Sequence, residues 1–206
     1  MAGPITHVVL SLKVFDKFFG GKDVQKFIVG TSFPDIRYLG VIERDKSHFE
    51  NITLHEILTL DSFYAGLKFH SLVDKVREAY MVKNDYYSLF PQSKMITQAQ
   101  KMLEDRLIYD KISDWKAIIK YFEGVDEEEI KLTKSVDHIK KWHKFLADYF
   151  SAKPNDENNI EFTVDLGFPK EQAEEMNRVL RSCQLEKAKQ VITTFYDTFE
   201  QLVQAV

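Results

Sequence analysis

An all-α, single-domain fold is predicted by three features of this sequence. Glycine and proline are scarce, 8 and 5 in 206 residues, and they are unevenly placed. Six of the eight glycines lie at or before Gly66, none occurs from Leu67 to Glu123, and no proline occurs from Gln92 to Lys153. The first third is therefore punctuated and the remainder is free to run in long helices. Apolar residues recur at the three-to-four-residue period of a helix stripe, and no run of five or more residues alternates as a strand would.

In order along the chain, MAGPITHVVLSLKVFDKFF reads as the first helix. It lacks a basic leader, and His7 and Lys13 interrupt its apolar stretch, so it does not read as a signal peptide. The short apolar run Phe27–Gly30 follows, then Phe33-Pro34-Asp35. A helix carries Gly66 through Asp74. Met95–Tyr109 and Trp115–Phe122 read as helical. Leu132, Val136, Ile139, His143, Leu146 and Phe150 form one stripe. Ser151–Asp165, rich in Asn, Asp and Lys around Pro154, is expected to be a surface loop. Pro169 suits a first helical turn, where the missing N–H costs nothing. From Met176 through Leu180, Cys183, Ala188, Ile192, Phe195 and Phe199 to Val206 a single stripe is expected. One domain, 1–206, is expected, with the chemistry-bearing part in 1–80 and a helical remainder in 81–206.

Composition excludes several classes. Hydrophobic residues make up 44% and aromatics 13%, too many for global disorder. Lys+Arg number 28 against 32 Asp+Glu, a net charge of −4, which is no footprint for a nucleic-acid binder. The single Cys183 excludes a disulfide framework and a Cys-rich zinc module, and suggests a reducing, cytoplasmic setting. No apolar run approaches the ~18–20 residues of a membrane span.

Four of the six histidines lie in the first 70 residues. His70 and Asp74 stand four apart on one helix face, and neutral imidazole with carboxylate is zinc-ligand chemistry. Gly66, one turn earlier on that face, costs roughly 1 kcal/mol of helix stability and removes bulk where another element can approach. Asp35 follows Pro34, which blocks helix continuation and presents the carboxylate from a fixed corner. Taken singly, each feature has an ordinary explanation. A His-x-x-x-Asp pair is most often just hydrogen-bonded, an Asp after Pro is usually a turn former, and a Thr-His near a terminus is usually an N-cap.

Taken in order, they resemble the zinc-dependent phospholipase C family, the all-α metallohydrolases related to the P1-type nucleases. The matching segments are Thr6-His7, then Phe27-Ile-Val-Gly30-Thr-Ser-Phe-Pro34-Asp35, an isolated His48, and Gly66-Leu-Lys-Phe-His70-Ser-Leu-Val-Asp74. The resemblance covers residues 1 to about 80 well and the rest weakly. It implies a phospholipase C-type helical bundle in which Asp35, His48, His70 and Asp74 hold one Zn²⁺. Asp74 then bridges to a second ion, whose other side-chain ligand is His7. In secreted members the processed N-terminal amine also ligates, and Ala2 is the residue placed for that role. The family's later His after the bridging Asp is replaced by Arg77-Glu78-Ala79-Tyr80-Met81. Its His-x-x-x-Glu is replaced by Gln100-x-x-x-Glu104. One or two ions are thus expected, with the third site in doubt.

The function implied is metal-dependent hydrolysis of a phosphodiester, on a phospholipid headgroup or a related substrate. Asp35 and Asp74 are the catalytic candidates, and peripheral membrane contact through exposed aromatics is an associated expectation. The alternative is a catalytically weak or inactive phospholipase-like module that keeps a metal for structure. An HD-type phosphohydrolase is set aside, because it needs an adjacent His-Asp and the chain has only Asp137-His138. Arg37 and Arg44 read first as surface residues, with phosphate contact as the alternative. His55 and His138 read as ordinary helix residues, His143 as a satisfied core histidine, and Glu127–Glu129 as an acidic first turn.

Overall fold

The computed structural model describes residues 1–206 as twelve α-helices joined by turns and short 3₁₀ segments, without a strand. The helices are α1 (Pro4–Phe19), α2 (Val24–Ser32), α3 (Arg44–Ser47), α4 (Leu54–Leu58), α5 (Ser62–Lys83) and α6 (Ile96–Ile108). They continue as α7 (Trp115–Ile119), α8 (Glu127–Thr133), α9 (Val136–Phe150), α10 (Asp156–Asp165), α11 (Lys170–Arg181) and α12 (Leu185–Gln204). The all-α prediction is met. None of these helices is long and apolar enough to cross a membrane.

Local chemistry sets the boundaries. Asp23 and Asp61 cap α2 and α5 by accepting from the amides of Lys26 and Tyr64. Thr53 with Glu56 and Asp126 with Glu129 form reciprocal capping boxes at α4 and α8. Pro34 ends α2 and opens a 3₁₀ segment, Pro34–Leu39, which Gly40 closes in the left-handed region (φ 72°).

Three local expectations change. The stripe from Leu132 to Phe150 is broken at Lys134, which takes φ 57° and separates α8 from α9. The stripe from Met176 to Val206 is broken at Ser182–Gln184, between α11 and α12. The expected loop 151–165 is a loop only to Asn155. That residue caps α10 through the amides of Glu157 and Asn158, so a polar stretch becomes a helix by its cap rather than by its pattern.

One buried cluster runs from Ala2 to Val203. At its centre α2 crosses α5 with backbone against backbone. A Cβ on Gly66 would lie 2.0 Å from the carbonyl oxygen of Phe27, and one on Gly30 would lie 2.1 Å from that of Phe63. The two glycines are reciprocal: each leaves room for the other helix's main chain. This crossing brings the end of α2, and Asp35 just beyond it, against His70 and Asp74.

Candidate metal centre

Four separate elements deliver the cluster. His7 comes from the first turns of α1, Asp35 from the 3₁₀ corner after Pro34, His48 from the end of α3, and His70 and Asp74 from successive turns of α5. The structure brings all five predicted ligands together in two groups, His7/His70/Asp74 and Asp35/His48/His70. Within each group the ligand atoms lie within 4.8 Å of one another.

The distances suit a small cation. His7 Nε2 is 3.4 Å from Asp74 Oδ1, His70 Nε2 is 3.7 Å from Asp74 Oδ2, and His48 Nε2 is 3.9 Å from Asp35 Oδ1. Ligands at about 2.0–2.1 Å from a tetrahedral ion stand about 3.3–3.4 Å apart. The His7 and His70 rings stack at 3.7 Å, nearly parallel. One nitrogen lone pair serves one ion, so His70 belongs to a single site. Asp74, with one oxygen turned to His7 and the other to His70, is the side chain that can bridge.

Each imidazole is oriented from behind. His70 Nδ1 donates to the carbonyl of Thr31 at 2.9 Å, leaving the lone pair on Nε2. His48 Nδ1 lies 3.0 Å from Ser47 Oγ, whose own proton goes to the carbonyls of Glu43 or Arg44, so Nδ1 donates and Nε2 is again free. Ser71 Oγ accepts from the Phe49 amide and ties this segment to α5. Trp142 on α9 donates to the carbonyl of Ser32 and braces the corner before Asp35. Asp74 Oδ1 accepts from the Ala2 amide at 2.7 Å.

The protonation states are those of ligands. Burial, then the neighbouring imidazole, pushes His48 and His70 down to about 4, so both are neutral at pH 7. Burial works against the Asp35 carboxylate, but Lys101 and then the imidazoles of His70 and His7 hold it below the usual range. Burial also opposes Asp74, but the close His7 ring at 3.4 Å, then the His70 imidazole, hold it well below that range. Six buried atoms here have no hydrogen-bond partner: both ring nitrogens of His7, Nε2 of His48 and of His70, Oδ1 of Asp35 and Oδ2 of Asp74. Each buried polar atom left unpaired costs about 1–3 kcal/mol. A cation in each group would satisfy five of them, all but His7 Nδ1, so the donor set fits a metal.

Asp105 and Lys101 escaped sequence reasoning, and Arg77 and Gln100 were read there only as departures from the resembled pattern. Asp105 on α6 is fully buried and accepts from the amides of Ile5 and Thr6 and from Thr6 Oγ1, which caps α1 from another helix and fixes His7. Arg77, 2% exposed, makes paired bonds of 2.8 and 2.5 Å to Glu104. A guanidinium–carboxylate pair thus joins the two segments, at Arg77 and Glu104, where the sequence departs from the resembled pattern. Gln100, one turn before Glu104 on α6, is buried with both amide atoms unpartnered. Lys101 is also buried, 3% exposed, and enters none of the protein's ion pairs. Because these pairings join distant helices, no local spacing announces them.

The remaining histidines stay outside the cluster. His55 is exposed, and His138 is exposed and bonded to Ser135. Glu127–Glu129 form the acidic first turn of α8 as expected, and Glu129 is in addition the core partner of the buried His143, at 2.8 Å. A cavity of about 700 Å³ beside α9 and α10 shares no residue with the cluster. Behind the ligands, a space of about 10 Å³ is lined by Pro4, His7, Thr31, Ser32, Asp35, His70 and Trp142, enough for about one small atom or ion. Comparison with protein-family models, curated proteins and solved structures returned no match to this chain.

Proposed function

We propose that this protein is a zinc-dependent phosphoesterase of the phospholipase C type, hydrolysing the phosphodiester of a phospholipid headgroup or a related compound. The observation that carries this is the convergence of the unpartnered buried ligand atoms of His7, Asp35, His48, His70 and Asp74. Zinc suits imidazole and carboxylate donors at these separations. Asp35, His48, His70 and one oxygen of Asp74 would hold one ion, and His7 with the other oxygen of Asp74 a second.

When bound, such a pair supplies Lewis acidity toward phosphoryl oxygens and lowers the pKa of a water to near ~7. The chain supplies the rest. Thr31 and Ser47 hold the His70 and His48 rings with their lone pairs inward. Asp74, 13% exposed, is the carboxylate nearer solvent; it would receive the proton released as a water attacks phosphorus and return it to the alkoxide that departs as the ester P–O bond breaks. Asp35, 8% exposed and turned to His48, is the lesser candidate for that role.

A second reading, a metal-stabilised interaction module without turnover, draws support from the closed mouth: the His48 side chain is only 7% exposed. The test is elemental analysis of protein purified without chelator. Hydrolysis of short-chain phosphatidylcholine and of a chromogenic phosphodiester is then assayed for wild type, chelated protein and Asp74→Asn. Two metals per chain with hydrolysis lost on chelation and in Asp74→Asn support the enzyme. One metal without hydrolysis supports the module, and no metal sinks both.

A further inference from the structure

Positive charge gathers at the mouth of the His–Asp cluster, and its only carboxylate partner is Asp35, in an ion pair with Arg37. Arg37, in the 3₁₀ segment that carries Asp35, lays its guanidinium over the Tyr38 ring at 4.3 Å. Its Nε is buried without a hydrogen-bond acceptor, the closest carboxylate oxygen being Asp35 Oδ1 at 3.6 Å. Arg44, on α3 four residues before His48, turns its guanidinium to the same place. Both groups converge on the thioether of Met1, with Arg37 Nη2 at 3.5 Å and Arg44 Nη1 at 3.1 Å from its sulfur. A thioether is a weak acceptor and satisfies neither. Lys101 approaches the same Tyr38 ring, its Nζ 5.9 Å from the centroid, and enters no ion pair. Arg77, by contrast, is saturated by Glu104, Glu78 and Tyr87.

We infer that Arg37 and Arg44 form an anion clamp at the mouth of the cluster, with Lys101 beneath it, that takes a phosphate group carried by the substrate. Planar guanidinium groups present paired donors that match phosphate oxygens. The Met1 thioether marks the position that a phosphate oxygen would occupy with stronger bonds. This deepens the phosphoesterase reading and rests on it for the reaction, but the clamp binds phosphate through its own donors. It also narrows the substrate. A mouth carrying three cations, with the Tyr38 ring covered by Arg37, repels a quaternary ammonium headgroup and favours substrates bearing an additional phosphate, whether soluble or on a lipid.

The probe is inorganic phosphate, titrated by calorimetry into protein as purified and into chelated protein. Wild type is expected to bind phosphate in both states, more weakly after chelation. Arg37→Gln/Arg44→Gln is expected to keep the wild-type metal content and to lose roughly 100-fold in phosphate affinity, the scale of two charge-assisted hydrogen bonds. Arg44 is exposed, so Arg44→Glu tests the clamp without disturbing the core, and is expected to weaken binding by at least tenfold. Glycerol 3-phosphate and phosphatidylcholine vesicles with and without phosphatidic acid separate a soluble source from a lipid one. Wild-type affinity for phosphate in the charge-removed variants, or no phosphate binding by wild type, overturns the clamp. Protein that carries no metal as purified, yet whose phosphate binding depends on Arg44, overturns the metal reading and leaves the clamp standing.

Discussion

Gly66→Ala sets two physical effects against each other with opposite signs. In an exposed helix interior, replacing glycine by alanine gains about 1 kcal/mol. At Gly66 the added Cβ would meet the Phe27 carbonyl oxygen at 2.0 Å, the Phe27 carbonyl carbon at 2.9 Å and the Thr31 amide nitrogen at 2.9 Å. These are backbone atoms and cannot rotate away, so α2 and α5 must part by roughly 1 Å or more in a close-packed core. Overpacking of this kind costs about 1–3 kcal/mol, and rigid obstacles put it at or above the upper end. The net expectation is a loss of about 2 kcal/mol, or about 4–8 °C in Tm for a chain of this size. Because α2 leads into Asp35 and carries the Thr31 carbonyl that orients His70, metal affinity should fall with stability. Denaturant unfolding and zinc titration read the two effects. Gly124→Ala, where a Cβ meets nothing within 4 Å, is the matched control and should be nearly neutral. A Gly66→Ala protein as stable as wild type would refute the backbone-contact argument.

Three further outcomes are expected. His70→Ala should lose at least one equivalent of metal and lower Tm, since a ligand that binds only the native state stabilises by RT ln(1 + [L]/Kd); His138→Ala should change neither, and full metal content in His70→Ala would dismiss the ligand assignment. Asp105→Ala should cost about 2 kcal/mol or more, because it strips buried amides of Ile5 and Thr6 of their acceptor; it should weaken the site that contains His7 more than the one that contains His48, read by stepwise zinc titration. In chelated protein His48 and His70, depressed to about 4, take up protons in the unfolded chain first, so their stability contribution is complete above about pH 6.5 and lost as pH falls toward 4. Asp105, pushed up to about 7 by burial, acts oppositely, favouring the fold at the acid end of that range, so Asp105→Asn should steepen the acid loss of stability measured by denaturant titration.

Legibility in the sequence followed the range of the interaction. Helix stripes and the glycine and proline pattern are local, and they predicted an all-α chain. The i,i+4 pair His70/Asp74 and the Pro34-Asp35 corner are local too, and these ligands are found side by side. Gly66 was legible as a place of close approach, though its reciprocal partner Gly30 was not. The breaks at Lys134 and at Ser182–Gln184 were hidden because the apolar period continues in phase across them. Helix α10 was hidden because Asn155 starts it by capping while its composition reads as loop. Asp105, Lys101 and the Arg77–Glu104 pair act across tens of residues, where spacing carries no signal.

The Asp105 cap on α1 also has a consequence for how the centre comes together as the chain folds. Asp35, His48 and His70 are drawn together by elements within about 40 residues of one another. The bonds from Ile5 and Thr6 to Asp105, by contrast, close a loop of about 100 residues. Loop-closure entropy rises with length, so the shorter enclosure forms at lower cost. Assembly is therefore expected in two stages: a first triad that a nascent chain can complete once α5 has emerged, and a second that waits for α6 to seat α1. A fragment ending with α5 would carry every proposed ligand and still lack the carboxylate that holds His7 in place.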